Sequence, residues 1–198
     1  MRRLGEIVRL QVQRDSIKTG GKPYERYTPE PNLVSVSGLR LNADGVEGID
    51  EHGNTIPDVH NATHPHTKFR GDNGLSIGFT GHYAAMRARF DDHLVDGIAG
   101  ENMLVAYDEI VSLNEIASGI VIVGNDREIR IGPWDVAHPC APFSRFCLKF
   151  PDDSRPDRRV TEALQFLENG SRGFTAVYGS DVSAVEIRLG DIVYAVGA

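Results

Sequence analysis

Residues 120–131 read IVIVGNDREIRI, two β-branched runs joined by a Gly-Asn-Asp segment. Short valine and isoleucine runs bounded by turn residues are typical of β-strands, and this pair predicts a hairpin. Similar runs, each ending at glycine, proline, asparagine or aspartate, occur at residues 7–12, 33–36, 184–189 and 192–196. Because the runs do not alternate regularly with helices, the sequence predicts a mainly β protein instead of a doubly wound α/β sheet.

Helical periodicity is convincing in two segments of the chain. Residues 82–90 and 160–170 place apolar side chains at three- and four-residue steps, which is the spacing of one helix face. We therefore expect a barrel-like fold of mixed or antiparallel strands with a few small peripheral helices. No linker-like segment separates two cores, so residues 1–198 are expected to form a single domain.

Composition narrows the class of protein and its partners. The chain has 198 residues, a formal net charge of −7 and 40% hydrophobic residues, without an apolar run long enough to span a bilayer. An acidic chain is a poor match for a nucleic-acid backbone, which needs clustered lysine and arginine. Two cysteines are too few for a secreted disulfide framework. The sequence therefore predicts a soluble, cytoplasmic protein with neither nucleic acid nor membrane as its partner.

Cys140 is the first candidate for chemistry. The segment 137–145, AHPCAPFSR, places a proline on either side of this thiol, which predicts a stiff turn and disfavours a helix. His138 and Arg145 are near enough in sequence to stabilise a thiolate or a bound oxyanion. A thiolate binds soft metals, whereas a cysteine is also a common buried core residue, and both interpretations stay open. Cys147, flanked by apolar residues, is expected in the core.

Histidines provide a second candidate. One short polar stretch contains His52, His60, His64 and His66. With a carboxylate such as Asp58 or Asp72, imidazoles at this density could build a zinc site. Pro65 excludes a helix that would present two of these histidines as ligands one turn apart. Solvated loop histidines are the alternative interpretation.

Two glycine-flanked motifs complete the set of candidates. Glu101 and Asn102 follow Gly100, which permits a tight turn before an apolar strand. Arg172 lies between glycines directly before another predicted strand. Its guanidinium suits bidentate binding of a phosphate. Simple turn chemistry and a surface charge are the respective alternatives.

Taken in order, these motifs resemble the MOSC domain family, named for the C-terminal region of molybdenum-cofactor sulfurase. The motifs are Gly100-Glu101-Asn102, Ile129-Arg130-Ile131-Gly132, His138-Pro139-Cys140, Arg172-Gly173-Phe174 and Leu189-Gly190-Asp191. The resemblance covers residues 33–196, and the predicted helix at 82–90 fits the position of a family helix. The family's Gly-Asp-x-His-like stretch is not found at Gly45, but Asp58 with His60, or His64, is available further along.

The resemblance implies a barrel-like β fold in which Cys140 is the molybdenum-ligating or sulfur-carrying thiol. It places Glu101 and Asn102 near the pocket, and it makes Arg172 and Arg145 face the phosphate of a pterin. The implied wall of the pocket contains His60 or His64. The implied cofactor is molybdenum-molybdopterin. Pyridoxal phosphate belongs to the other half of the sulfurase, and no lysine here stands out as a Schiff-base former.

Three functions follow from these candidates. The first is binding of a molybdenum-pterin cofactor, or sulfur relay to one, with reduction of N-hydroxylated substrates as a possible activity. Electrons or sulfur would then come from a separate donor protein, because no flavin or iron-sulfur signature is present. The second is a non-catalytic carrier that holds an anion or cofactor through Arg145 and Arg172. The third is a zinc-dependent hydrolase built on residues 52–66.

Overall fold

The protein is described by a computed structural model that covers residues 1–151, 153–179 and 183–197. Its strands are β1 (Arg2–Gln13), β2 (Lys18–Thr19), β3 (Arg26–Tyr27), β4 (Leu33–Ser35), β5 (Gly38–Asn42), β6 (Gly45–Ile49), β7 (Thr55–Pro57), β8 (Leu75–Phe79), β9 (Met103–Ala106), β10 (Ile120–Gly124), β11 (Arg127–Ile131), β12 (Asp135–Val136), β13 (Phe174–Ala176), β14 (Val185–Arg188) and β15 (Ile192–Ala195). Its helices are α1 (Thr80–Phe90), α2 (Leu113–Ile116), α3 (Ala141–Cys147) and α4 (Arg158–Glu168).

Most strands join one large sheet that curls into a half-barrel. Its order is β11-β10-β15-β1-β9-β8-β13-β12, and β4 pairs with the end of β1. Neighbours are antiparallel except β8 and β9, which are parallel because α1 crosses over between them. A smaller sheet has the order β14-β5-β6-β7. The expected mainly β, barrel-like fold with small helices is thereby confirmed.

Strand β1 connects the parts of the large sheet. Its first residues pair with β15, its middle with β9 and its last residues, Gln11 to Gln13, with β4. Gly5 has a φ of 140° at a bulge in this strand, where a Cβ would overlap the carbonyl oxygen of Ala106. Only glycine permits this approach of the two backbones. The strand therefore delivers its polar C-terminal end, Gln11 and Gln13, to the region of the candidate site.

Several elements follow directly from the sequence patterns. The hairpin predicted at residues 120–131 is β10 and β11, with Gly124 opposite Arg127 across the turn. Both predicted helices are present as α1 and α4. The prediction of a stiff, non-helical turn around Cys140 is wrong on the C-terminal side of this residue, because α3 begins at Ala141. Pro142 is compatible with α3 because it lies in the first turn, where a helix lacks backbone acceptors for its N–H groups.

Two apolar clusters form the core. The larger lies between the large and small sheets, and the smaller lies under α1, α3 and α4, where Tyr83, Phe143 and Leu167 are buried. Each such side chain contributes on the order of 2 kcal/mol through burial of apolar area. This second cluster holds the three helices together. Within residues 1–151, 153–179 and 183–197, no helix has the length and apolar character needed to cross a bilayer.

Candidate functional site

A cleft opens where the turn before β9, the segment before α3 and the segment before β13 meet. Its cavity volume is about 130 Å³. The titratable and charged residues that line it are Lys18, Tyr27, His60, Arg70, Asp72, Glu101, Asp135, His138, Cys140 and Arg172. Six residues singled out in the sequence therefore line one cleft: His60, Asp72, Glu101, His138, Cys140 and Arg172.

Cys140 lies in the wall of this cleft and is partly exposed. It is the residue that precedes α3, and its carbonyl oxygen accepts a hydrogen bond from the Ser144 N–H at 3.0 Å. The short helix thus fixes the backbone that carries the thiol. Cys147, at the other end of α3, is only 1% exposed. Burial raises the pKa of the Cys147 thiol to about 12, so this cysteine is an inert core residue, as expected.

Buried glutamines hold the turn that carries Glu101 into the cleft. Gly97 and Gly100 adopt φ angles of 87° and 85°, in the left-handed region that favours glycine. The Gln11 side-chain amide donates to the carbonyl oxygens of Gly97 at 2.7 Å and of Glu101 at 2.8 Å. The Gln13 amide donates to the Gly100 carbonyl oxygen at 2.9 Å. The end of β1 therefore determines where the Glu101 backbone lies.

The carboxyl group of Glu101 is buried, and only 4% of the residue is exposed. The hydroxyl of Tyr83 lies 2.8 Å from Oε1 and 2.9 Å from Oε2, and its oxygen accepts the Ala99 N–H at 3.0 Å. Gly78 leaves room for the carboxyl, since a Cβ there would lie 3.1 Å from Oε1. Burial raises the pKa of Glu101 to about 7, although the Tyr83 hydrogen bond and the Arg172 charge oppose this rise.

Arg172 connects the two segments that carry Glu101 and Cys140. Its Nη2 donates to the Ala99 carbonyl oxygen at 3.1 Å, and its Nη1 donates to the His138 carbonyl oxygen at 3.3 Å. Each acceptor lies two residues before one of the cleft residues. Within the residues that the structure describes, the buried Nε of Arg172 has no hydrogen-bond partner. The guanidinium thus brings a positive charge to the cleft lining, and its Nε–H is a buried donor that these contacts leave unused.

A histidine held by a buried carboxylate completes the wall. Nδ1 of His60 lies 2.9 Å from Oδ1 of Asp58, which is only 1% exposed. The carboxylate also accepts the backbone N–H groups of Gln13 and His60, each at 2.8 Å, and Nδ2 of Asn102 at 3.0 Å. Because the carboxylate only accepts, we assign the Nδ1 proton to the bond with Asp58. Nε2 is then the ring nitrogen available to a ligand.

Comparisons with known proteins find solved structures of similar fold but no matching family. No protein-family model matches the chain, and no curated protein matches it. A crystal structure of a hypothetical protein has a TM-score of 0.53 and 15% identity, covering 100% of this chain and 68% of that one. The YuaD protein from Bacillus subtilis has a TM-score of 0.51 and 11% identity, covering 95% and 96%. At these identities the likeness concerns the fold alone.

Arg145, expected to face a pterin phosphate, does not line the cleft. Its guanidinium donates to the carbonyl oxygens of Pro23 at 3.0 Å and Pro151 at 2.8 Å, and it lies over the ring of Phe150. Arg145 is buried outside the cleft, beside a separate surface hollow. Its contacts tie the loop after β2 to the end of α3, which is a structural role.

Asn102 and His64 also lie outside the lining of the cleft. The Asn102 side chain accepts from the Ser76 backbone N–H at 3.0 Å and donates to Asp58 at 3.0 Å. It therefore links β8 to the carboxylate that holds the neighbouring His60. The His64 ring contacts the carbonyl oxygen of Arg14 through Nε2 at 3.0 Å. Of the two histidines suggested for the pocket wall, His60 is the one at the cleft.

The histidine side chains of residues 52–66 do not converge on one point, although the His66 backbone N–H donates to Nδ1 of His64 at 3.0 Å. His52 lies near Glu51, His60 bonds to Asp58, His64 bonds to Arg14 and His66 bonds to Asp15. Over the described ranges 1–151, 153–179 and 183–197, no group of three or more His, Cys, Asp or Glu side chains is arranged to hold a metal ion. The described part of the chain therefore provides no set of zinc ligands that would support the zinc-hydrolase hypothesis.

A wider basic groove adjoins the cleft. Its volume is about 480 Å³, and it shares Gln13, Ile17, Lys18, His60 and Arg70 with the lining of the cleft. Lys22 and Lys68 add two further cations to this groove, and among the described lining residues Glu25 provides its one carboxylate. Together the groove and the cleft suit an anionic ligand longer than the cleft alone.

Some residues of the site were not singled out as functional from the sequence. Tyr83 was interpreted only as part of an apolar helix face, yet a tyrosine on a buried face needs a partner for its hydroxyl. The need for such a partner was the sequence feature that could have predicted a polar group, such as Glu101, beside Tyr83. Lys18 and Arg70 lie in segments that no local pattern connects, so only the fold brings them to the cleft.

Proposed function

We propose that this protein binds a molybdenum-pterin cofactor through Cys140, or relays sulfur to such a cofactor. The observation that supports this proposal most directly is a partly exposed thiol in a cleft that also contains Arg172. A sealed cysteine would have removed the basis of the proposal. The ordered motifs that resemble the MOSC domain family agree with this use of Cys140.

The residues of the cleft and groove fit an anionic, metal-containing cofactor. Cys140 offers a soft sulfur ligand, and Arg172 retains a buried donor without a partner among the described residues. Lys18, Lys22 and Arg70 would neutralise a phosphate in the adjoining groove. The bound cofactor would supply the redox chemistry for reduction of an N-hydroxylated substrate.

The protein's own residues have distinct tasks in this proposal. Cys140 holds the ligand in the cleft, and Arg172 orients it through its positive charge. The Asp58–His60 pair presents an imidazole nitrogen to the same cleft as a hydrogen-bonding group for the ligand. Electrons would come from a separate donor protein. Because Cys140 must stay reduced, a reducing cytoplasm is part of the proposal.

Sulfur relay is the second form of the same proposal. In that form the Cys140 thiolate would attack the outer sulfur of a persulfide on a donor protein and keep it as its own persulfide, while the donor's cysteine leaves as a thiolate. Arg172 would stabilise the anionic group. A non-catalytic anion carrier is a candidate of another class, and Lys18, Arg70 and Arg172 favour it equally. The role of the thiol separates the carrier from both molybdenum-related forms.

The deciding experiment measures molybdenum and pterin in protein purified from cells supplied with molybdate. Wild type, Cys140→Ser and the matched thiol control Cys147→Ala are compared. We expect metal and pterin in wild type and in the control, and at least a tenfold loss of both in Cys140→Ser. Equal contents in all three proteins would reject the ligand role. An additional sulfur on Cys140 in the intact mass of the metal-poor protein would favour sulfur relay.

A further inference from the structure

We propose that the cleft is an oxyanion site whose ligand binds together with one proton, which the carboxyl group of Glu101 takes up. The proposal concerns the same cleft as the proposed function and rests on it only for the identity of the natural ligand. The ligand class is an oxyanion, either free or as the anionic group of a larger molecule.

The charges in the cleft are the first argument. Arg172 and Glu101 line the same cavity of about 130 Å³. An oxyanion drawn to the guanidinium would therefore enter beside a second negative charge whenever Glu101 is ionised. Little water separates charges in so small a volume, so the repulsion is weakly screened. A proton on Glu101 removes its share of this repulsion, while the carboxylates of Asp72 and Asp135 in the same lining are unchanged.

Hydrogen-bond directions are the second argument. The Ala99 N–H occupies the Tyr83 oxygen at 3.0 Å, and the hydroxyl's own proton points to the Glu101 carboxyl. Tyr83 is thus fixed as the donor in this pair. We therefore assign an added proton to the side of the carboxyl away from Tyr83, where the acid would donate it to a ligand in the cleft. Protonation therefore adds a donor while it removes a charge.

The protonation equilibrium of Glu101 lies in the range that a ligand can shift. Burial raises its pKa to about 7, so both forms are populated in the empty cleft near neutral pH. Four titratable or charged groups act on Glu101 directly: Arg9 of β1, Tyr27 of β3, Tyr83 of α1 and Arg172 of the segment before β13. The other titratable or charged residues that line the same cleft are Lys18, His60, Arg70, Asp72, Asp135, His138 and Cys140.

Linkage fixes the sign of the pH dependence. Below pH 7 Glu101 already carries its proton, so an oxyanion binds without proton uptake. Above pH 7 each binding event takes one proton from the buffer. The dissociation constant then rises by up to about tenfold for each further pH unit.

The test is calorimetric titration with sulfate, which has no titrating proton near neutral pH. Titrations at pH ~6, ~7 and ~8 in two buffers of different ionisation enthalpy give both affinity and protons taken up. For wild type we expect close to one proton per sulfate at the highest pH and little at the lowest. Glu101→Gln should lose the proton uptake that wild type shows at the highest pH and bind about five- to tenfold more tightly than wild type there.

Two further variants keep the outcome decisive. Tyr83→Phe retains the ring but removes a hydrogen bond that lowers the Glu101 pKa, so its loss of affinity should begin at a higher pH. Asp135→Asn removes an exposed carboxylate of the same cleft and should keep the wild-type pH dependence. An unchanged pH dependence in Glu101→Gln, its loss in Asp135→Asn, or no sulfate binding by wild type would each overturn the proposal. Molybdenum content tests the proposed function separately.

Discussion

The hydroxyl oxygen of Tyr83 lies 2.8 and 2.9 Å from the two carboxylate oxygens of Glu101, although the residues belong to a helix and to a turn before a parallel strand. The contact joins α1 to the wall of the cleft and is buried on both sides. Burial at this position raises the pKa of the Glu101 carboxyl to about 7. Stability and ligand binding should both depend on the proton of this carboxyl.

Replacing Glu101 with glutamine should stabilise the protein at high pH. The carboxyl ionises near 4.5 in the unfolded chain and near 7 in the folded one, so the folded state binds more protons between these values. Wild type therefore loses stability as pH rises through that window, whereas Glu101→Gln does not. The variant's advantage should grow by roughly 2 to 3 kcal/mol between pH ~4 and ~8, measured by urea unfolding.

An exposed carboxylate provides the control for this comparison. Glu128 lies on the exposed side of β11, and Glu128→Gln should change the free energy of unfolding by less than about 0.5 kcal/mol at any pH. A constant difference between wild type and Glu101→Gln over the same pH range would show that Glu101 ionises normally.

The two thiols should differ strongly in reactivity. Iodoacetamide should modify Cys140 in the native protein because its side chain lines the cleft, whereas Cys147 should react only after denaturation. Burial blocks the reagent and keeps the Cys147 thiol protonated at neutral pH. Mass spectrometry of native and unfolded samples counts the adducts, with Cys140→Ala as the variant that should give none when native. Equal rates at both thiols would contradict the structure.

Gly173→Ala should destabilise the protein strongly and disturb the arginine beside it. Gly173 has a φ of 104°, and a Cβ there would overlap the carbonyl oxygen of Ile77 in the adjacent strand. We expect a loss of about 2 to 4 kcal/mol. Gly53→Ala is the matched control, because Gly53 also has a positive φ of 83° but open space around it. Its cost should be near 1 kcal/mol, and equal losses for both variants in denaturant unfolding would refute the steric argument.

Asp58→Asn should cost about 2 to 4 kcal/mol, because its carboxylate accepts from donors at both oxygens while buried. An amide would point its NH₂ group at two of those donors. Asp50 offers a comparison, since it also accepts several bonds in a turn but is only partly buried. Asp50→Asn should be clearly less destabilising in the same unfolding assay. The reverse ranking would mean that the Asp58 contacts contribute little.

Local patterns determined much of the fold. The hairpin at residues 120–131 needed only two β-branched runs and a short turn, and α1 needed only one apolar helix face. The helix α3 was missed because prolines near Cys140 disfavour helices in general. Pro142 is tolerated in the first turn, where its missing N–H costs no hydrogen bond.

The sequence by itself singled out Cys140, Glu101, Arg172 and the Asp58–His60 stretch through residue type and nearby glycines or prolines. Only the tertiary structure decided that these side chains share a cleft and that Arg145 does not, since its guanidinium meets backbone carbonyls elsewhere. The pKa of Glu101 is likewise raised by burial, and this burial arises only where the turn that carries Glu101 packs against α1, a distant segment of the chain. Short-range patterns encode backbone conformation, whereas burial and charge environment arise from residues that meet only after the chain has folded.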